Sequence, residues 1–348
     1  MLLGLPLTGI LIAGRPIGRY LEFPPQTRFI QHAPYSWLAF GCYAVFIIGV
    51  LIFLISPLFY KQQAFSFRHS GKRRLPWWGW MSLFTCILFW GIAWSRFAFV
   101  KLFQPHTFAP LWISFIVWLN ALTFRRTGRS LLTHKTRLFF ILFPLSAAFW
   151  WFFEYLNRFV QNWYYVGVKF EALEYFLYAT ISFSTVLPAV VSMHAYVISY
   201  IGDLNRYHSW IKIQIRYPKI LSWCVLVIAG CGLGFIGILP DYVFPLLWIS
   251  PLLIVVSLQA ILGESHILSD VIRGNWMKVV SFPLAALGCG FFWEMWNFYS
   301  LAKWQYGIPF VHRFQLFEMP ILGYAGYLPF GLECAMVAMI VEDWLFKL

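Results

Sequence analysis

Nine stretches of roughly 20 apolar residues constrain this chain more than anything else in it. Inside hydrocarbon, a backbone has no water to satisfy its N–H and C=O groups, so it crosses as helix or as closed barrel. A helix needs about 20 apolar residues to do so. The stretches are 37–60, 77–100, 108–124, 138–157, 173–200, 220–239, 243–262, 279–299 and 317–341. Of the 348 residues, 61% are hydrophobic and 11% charged, against about 25% charged in a soluble domain. The expected class is all-α: a polytopic integral membrane protein with about nine transmembrane helices. Residues 1–13 are also apolar, but they lack a basic leader and a small-residue cleavage site. They are expected at the interface or against the bundle.

The net charge of +13 invites a nucleic-acid reading, which the distribution of charge argues against. Seventeen of the 26 Lys and Arg fall in one alternate set of loops, 61–74, 125–137, 206–219, 273–278 and Lys347. Basic loops stay cytoplasmic. The N-terminus is then expected outside and the C-terminus inside a bacterial inner membrane, with anionic lipid headgroups as partners. The six cysteines all lie in apolar runs without a C-x-x-C spacing, so neither a disulfide nor a metal site is expected.

A pattern recurs within the chain. Phe143-Pro144-Leu145 matches Phe282-Pro283-Leu284, Glu154 and Asn157 match Glu294 and Asn297, and Trp163-x-Tyr165 matches Trp304-x-Tyr306. Leu187-Pro188 then follows the first Tyr at the distance at which Leu328-Pro329 follows the second. So many matches in register point to a tandem duplication. The expected organisation is an N-terminal segment with one span (1–76) followed by four-helix repeats at 77–219 and 220–348. An even number of helices per repeat implies a pseudo-twofold axis along the membrane normal. Both Trp-x-Tyr loops then lie on the outer side and are expected to cap a cavity in the bundle.

The carboxylates are the candidates for chemistry. Glu154 and Glu294 each lie about 25 Å along a helix from the basic inner end, with Asn157 and Asn297 on the same face at i+3. Such a pair presents a carboxyl and an amide to one ligand, or else caps the aromatic loop. Glu333 is deeper, about 22 Å into the last span. Ionisable residues at such depth face the bundle interior and tend to be functional, and a buried carboxyl suits a proton donor. The alternative is a protonated Glu bonded to a neighbouring helix. The first repeat has Val191 or Ser192 at that place. Glu318 and Glu174 are expected to begin helices, where a carboxylate complements the dipole. Pro188 and Pro329 are expected to kink theirs, and the Gly323-to-Tyr327 run to allow close helix approach. His194 is expected to pack or hydrogen-bond.

Trp293-Glu294, Trp304-Gln305-Tyr306 and Leu328-Pro329 through Glu333 resemble the membrane lycopene cyclases of the heterodimeric type and related carotenoid-pathway membrane proteins. The resemblance covers about 45 residues per repeat. In those proteins the Pro is followed by paired carboxylates, whereas here Glu333 is single. What it implies is a lipid-facing helical fold and chemistry on an isoprenoid.

Two functions follow as expectations. One is an intramembrane enzyme acting on a long apolar, isoprenoid- or carotenoid-like substrate by carboxylic-acid proton chemistry. Glu333, Glu294 and Glu154 would supply the acid. Asn157, Asn297, Trp163, Tyr165, Trp304, Tyr306 and Glu318 would contact the ligand. Aromatic walls tolerate cationic charge. The other is a transporter, or a lipid- or pigment-binding membrane subunit without catalysis. The sequence leaves the cofactor unknown.

Overall fold

The computed structural model describes residues 1–24, 27–59, 73–201 and 205–347. Helices dominate: α1 Gly4–Ile12, α2 Trp37–Ile55, α3 Trp77–Trp94, α4 Phe108–Thr127, the single turn α5 Leu131–His134, α6 Thr136–Val160, α7 Ala172–Phe183, α8 Val186–Ile201, α9 Pro218–Phe235, the turn α10 Pro240–Val243, α11 Leu246–Leu262, α12 Met277–Tyr299 and α13 Tyr327–Lys347. Eight helical stretches among the described residues are long and apolar enough to cross a membrane. The protein is thus an all-α integral membrane protein. The expected seventh span is shorter than its apolar run, because α10 takes the start of that run and α11 has 17 residues. Most of the basic loop 61–74 and the expected end of the first span at Tyr60 lie outside the described residues.

Local chemistry sets the ends. The Ser36 side chain accepts from the backbone of Ala39 at the start of α2. Gly128 closes α4 in the left-handed conformation (φ 77°), which a residue without a Cβ adopts freely. Glu174 bonds the backbone N–H of Glu171 at 3.3 Å, so the expected role at the start of α7 holds. α1 lies on α9, with Gly9 against the backbone of Gly234; a Cβ at Gly9 would meet that carbonyl oxygen at 1.9 Å.

Three expectations are corrected. Pro188 and Pro329 are each the third residue of their helix, where a missing N–H removes no bond. Pro329 therefore starts α13, whereas Pro188 follows the break at Ser184 and Thr185 that divides the apolar span Ala172–Tyr200 into α7 and α8. The last helix begins at Tyr327 and not at residue 317, since residues 315–320 form a small hairpin of β3 (Gln315–Leu316) and β4 (Met319–Pro320). Glu318 sits in that hairpin and begins no helix. The Gly323-to-Tyr327 run is mostly a 3-10 turn, Ile321–Gly326, with Gly323 packed on Met319 and Ile308.

The core is aromatic and lies where the two halves meet. Trp112 of α4 packs on Trp293 of α12, with ring centroids 4.9 Å apart. Trp248 of α11 stacks on Phe153 of α6 at 5.0 Å and on Trp163 at 5.6 Å. His194 bonds the Ser281 hydroxyl at 3.0 Å and stacks on Phe282 at 3.5 Å, as expected of a packing residue. Two short strands, β1 (Trp163–Val166) and β2 (Lys303–Tyr306), pair antiparallel. Trp163 faces Tyr306 and Tyr165 faces Trp304, so each Trp-x-Tyr element meets the reverse of the other.

Gly290 tests how tightly α12 and α13 are joined. A Cβ there would lie 2.4 Å from the ring of Tyr327, which is itself held between Trp293 and Phe330. Gly290→Ala is expected to cost about 1–3 kcal/mol, as overpacking does, and to lower the unfolding temperature of the detergent-solubilised protein. An unchanged transition would mean that the ring gives way freely.

Candidate functional site

The two repeated motifs form two similar polar clusters. In the first, Glu154 is fully buried on α6. Its Oε1 accepts from Tyr165 Oη at 2.6 Å, Trp163 Nε1 at 2.9 Å and Trp150 Nε1 at 3.2 Å. Asn157, one turn on, donates from Nδ2 to the Trp163 carbonyl at 2.8 Å, and its Oδ1 accepts from the Asn162 N–H at 2.8 Å. In the second, Glu294 is fully buried on α12. Its Oε1 accepts from Tyr306 Oη at 2.7 Å and Tyr327 Oη at 2.9 Å. Trp304 Nε1 donates to Tyr306 Oη at 2.8 Å. Asn297 Nδ2 donates to the Trp304 carbonyl at 2.8 Å and its Oδ1 accepts from the Trp304 N–H at 2.9 Å.

The Glu-x-x-Asn spacing therefore does two jobs on one helix face. The amide holds the backbone of the strand that follows, and the carboxyl holds that strand's side chains. In both clusters the second carboxyl oxygen, Oε2, is buried without a hydrogen-bond partner among the described residues. Burial, reinforced by the adjacent carboxyl, pushes the Tyr165 and Tyr306 phenols well above the ordinary tyrosine range. Both therefore keep their protons at neutral pH and act as donors.

A cavity of about 780 Å³ lies between the clusters. Trp150, Trp163 and Tyr165 line it on one side, and Trp304, Tyr306 and Tyr327 on the other. Glu154 and Glu294 stand behind these side chains and do not line it. One wall is α2, through Tyr43, Phe46, Ile47, Val50, Phe53 and Leu54, which is the i, i+3, i+4, i+7 face of that helix. No residue of α2 is buried. It meets the rest of the protein mainly at its ends, where Ser36 N–H donates to the Phe310 carbonyl and Tyr207 Oη donates to that of Leu54.

The other candidates fall as follows. Glu333 is 1% exposed on α13, and neither of its carboxyl oxygens has a partner among the described residues. The cavity wall includes Pro329, Phe330 and Leu332 of the same helix and stops short of Glu333. Glu318 forms an ion pair with Lys303 of β2, which lines the cavity. Sequence reasoning passed over Trp150, Tyr327 and Lys303. Trp150 stood four residues before Glu154, which on a helix is the same face. Tyr327 was hidden because only the packing at Gly290 brings it back to Glu294. Comparisons of the chain with known protein families, with curated proteins and with solved structures find no match.

Proposed function

We propose that this protein is an intramembrane enzyme that binds a long apolar, isoprenoid-like chain and moves a proton to and from one of its double bonds. The observation that carries this reading is the pair of buried carboxyls backing phenols in the wall of one aromatic cavity. At each cluster the buried carboxyl bonds a phenol that lines the cavity. Glu294 Oε1 is occupied by two phenols, which leaves Oε2 to hold a proton. In the forward step, the Tyr306 phenol turns its O–H from Glu294 Oε1 toward the cavity, and as that O–H bond breaks to form a C–H bond on an alkene carbon, the protonated Glu294 carboxyl delivers its proton to the phenol oxygen in the same step. A C–H bond forms and the neighbouring carbon becomes a cation, which the surrounding rings stabilise. The carboxylate, through the same phenol, then takes a proton from an adjacent carbon. An isomerised or cyclised hydrocarbon results, with no oxidant or reductant consumed. The resemblance to membrane lycopene cyclases points to the same chemistry.

Under this reading the chain crosses a bacterial inner membrane nine times, counting α11, with the N-terminus outside. Residues 77–219 and 220–348 are copies of one unit. The matched Nδ2 bonds of Asn157 and Asn297 to the Trp163 and Trp304 carbonyls, and the reciprocal pairing of β1 with β2, support the duplication.

The test is incubation of the protein in lipid nanodiscs with isoprenoid polyenes in D₂O, followed by mass spectrometry of the recovered hydrocarbons. Proton chemistry places solvent deuterium on carbon. A polyene that binds and returns without deuterium would overturn the enzyme reading in favour of a transport or binding role.

A further inference from the structure

The cavity has two unlike ends. At one, the phenols of Tyr306 and Tyr327 bond Glu294 Oε1, so they stand at the level of Glu294 on α12. At the other, the last lining residues are Phe53 and Leu54 in the final turn of α2 and Val279 in the first turn of α12. Among the described residues, none of 205–217 or 264–278 lines the cavity beyond them.

Rings back the far end. Phe53 packs on Trp210, with ring centroids 4.6 Å apart, and meets Trp276 edge-on at 5.5 Å. Phe53 lines the cavity and neither tryptophan does, so its ring stands between the cavity and that pair. Hydrogen bonds fix the backing. Trp276 Nε1 donates to the Ile211 carbonyl at 2.7 Å, and the Trp210 N–H donates to that of Gly274 at 2.9 Å. Tyr207 Oη ties the end of α2 to the same cluster through the Leu54 carbonyl, at 2.8 Å. Close-packed rings of this kind resist intrusion by even one extra carbon.

The distance between the two ends sets a length. Glu294 and Val279 are 15 residues apart on one helix, about 22 Å of helix rise. An extended carbon chain advances about 1.25 Å per bond, from bonds of about 1.5 Å at angles of about 111°. The slot therefore takes about 18 bonds, or about four isoprene units, between the phenols and Phe53.

The geometry points to Phe53 as the stop that sets substrate length: the ligand is a linear isoprenoid reaching about four units from its reacting double bond to the Phe53 ring. The inference deepens the reading that the cavity holds a long apolar chain, and rests on it.

A ladder of linear all-trans prenols of two to six isoprene units tests it. An equimolar mixture is added to the full-length protein in nanodiscs, and the bound prenols are read by native mass spectrometry of the protein released from the discs. Wild type is expected to hold the four-unit prenol most and to bind the five- and six-unit prenols less. Phe53→Ala lets the chain run on to Trp210 and Trp276, so the preferred length should grow by about one unit. Phe53→Trp enlarges the stop, so the preferred length should shrink. A purely structural role for Phe53 would not move the preference in opposite directions with side-chain size. Phe53→Trp keeps the aromatic packing and decides the matter alone if Phe53→Ala does not fold. If wild-type binding rises steadily through six units, or if the variants leave the preferred length unchanged, the stop is refuted although the apolar chain stands. If no prenol binds, the apolar-chain reading falls and the stop with it.

Discussion

Glu294→Gln is expected to abolish deuterium transfer to a bound polyene while leaving the protein folded. The Gln side-chain oxygen can accept from Tyr306 and Tyr327 as Glu294 Oε1 does, so the packing survives. What is lost is the exchangeable carboxyl proton behind the phenol. Removal of a positioned general acid costs about 10²- to 10⁴-fold in rate. Glu154→Gln is the informative partner experiment. Its three donors come from Trp150, Trp163 and Tyr165, all within the same cluster, and an amide oxygen would still serve them. An enzyme that reacts at the second cluster tolerates this change, because the first cluster then has a structural task only. A symmetric pathway needs both copies, so an equal loss in the two variants would favour transport. Turnover is read by mass spectrometry and folding by the thermal transition in detergent.

The legible parts of this protein are those where a physical rule acts over short distances. Apolar length placed a helix in every expected span, since hydrocarbon leaves the backbone no alternative. The Glu-x-x-Asn pairs were legible because i and i+3 share a helix face, although what they bind is the following strand rather than only a ligand. The pairing of Trp163-x-Tyr165 with Trp304-x-Tyr306 was not legible. It depends on two loops 141 residues apart meeting in reverse register, and spacing within either loop says nothing of that. Glu318 was misplaced for a related reason. An apolar run with an acid at its head reads as a helix start, but Phe314 and Phe317 hold positive φ (55° and 59°). Such backbone is unfavourable for bulky residues and turns the chain into the hairpin. The rings that hold it there, Trp37 and Phe40 against Phe314 and Phe291 and Phe298 against Phe317, come from distant segments. The cavity wall supplied by α2 was hidden in the same way, since its apolar residues look alike whether they face lipid or ligand.

Glu333→Met is expected to stabilise the protein and to abolish its turnover. Glu333 is 1% exposed, and its carboxyl lies beside the Leu252 backbone of α11 without completing a well-formed hydrogen bond among the described residues. A buried polar group left unsatisfied costs about 1–3 kcal/mol, and Met fills a similar volume without that cost. Ser192, which follows Pro188 by four residues as Glu333 follows Pro329, shows how the chain avoids the penalty when no acid is present. Its hydroxyl accepts from Asn120 Nδ2 at 2.9 Å. Helix α13 thus carries a cost that α8 does not, and its Pro329, Phe330 and Leu332 line the cavity. Ionisable residues held at this depth against such a cost tend to be functional, and gains in stability at such sites come with lost activity. Glu333→Gln separates the two effects. It keeps a polar group in place, so stability should rise little, yet it removes the ionisable proton and should abolish turnover as fully as Met does. Full turnover in both variants would return Glu333 to a structural role. A Met variant no more stable than wild type would mean that the carboxyl is satisfied by water in the membrane-embedded protein.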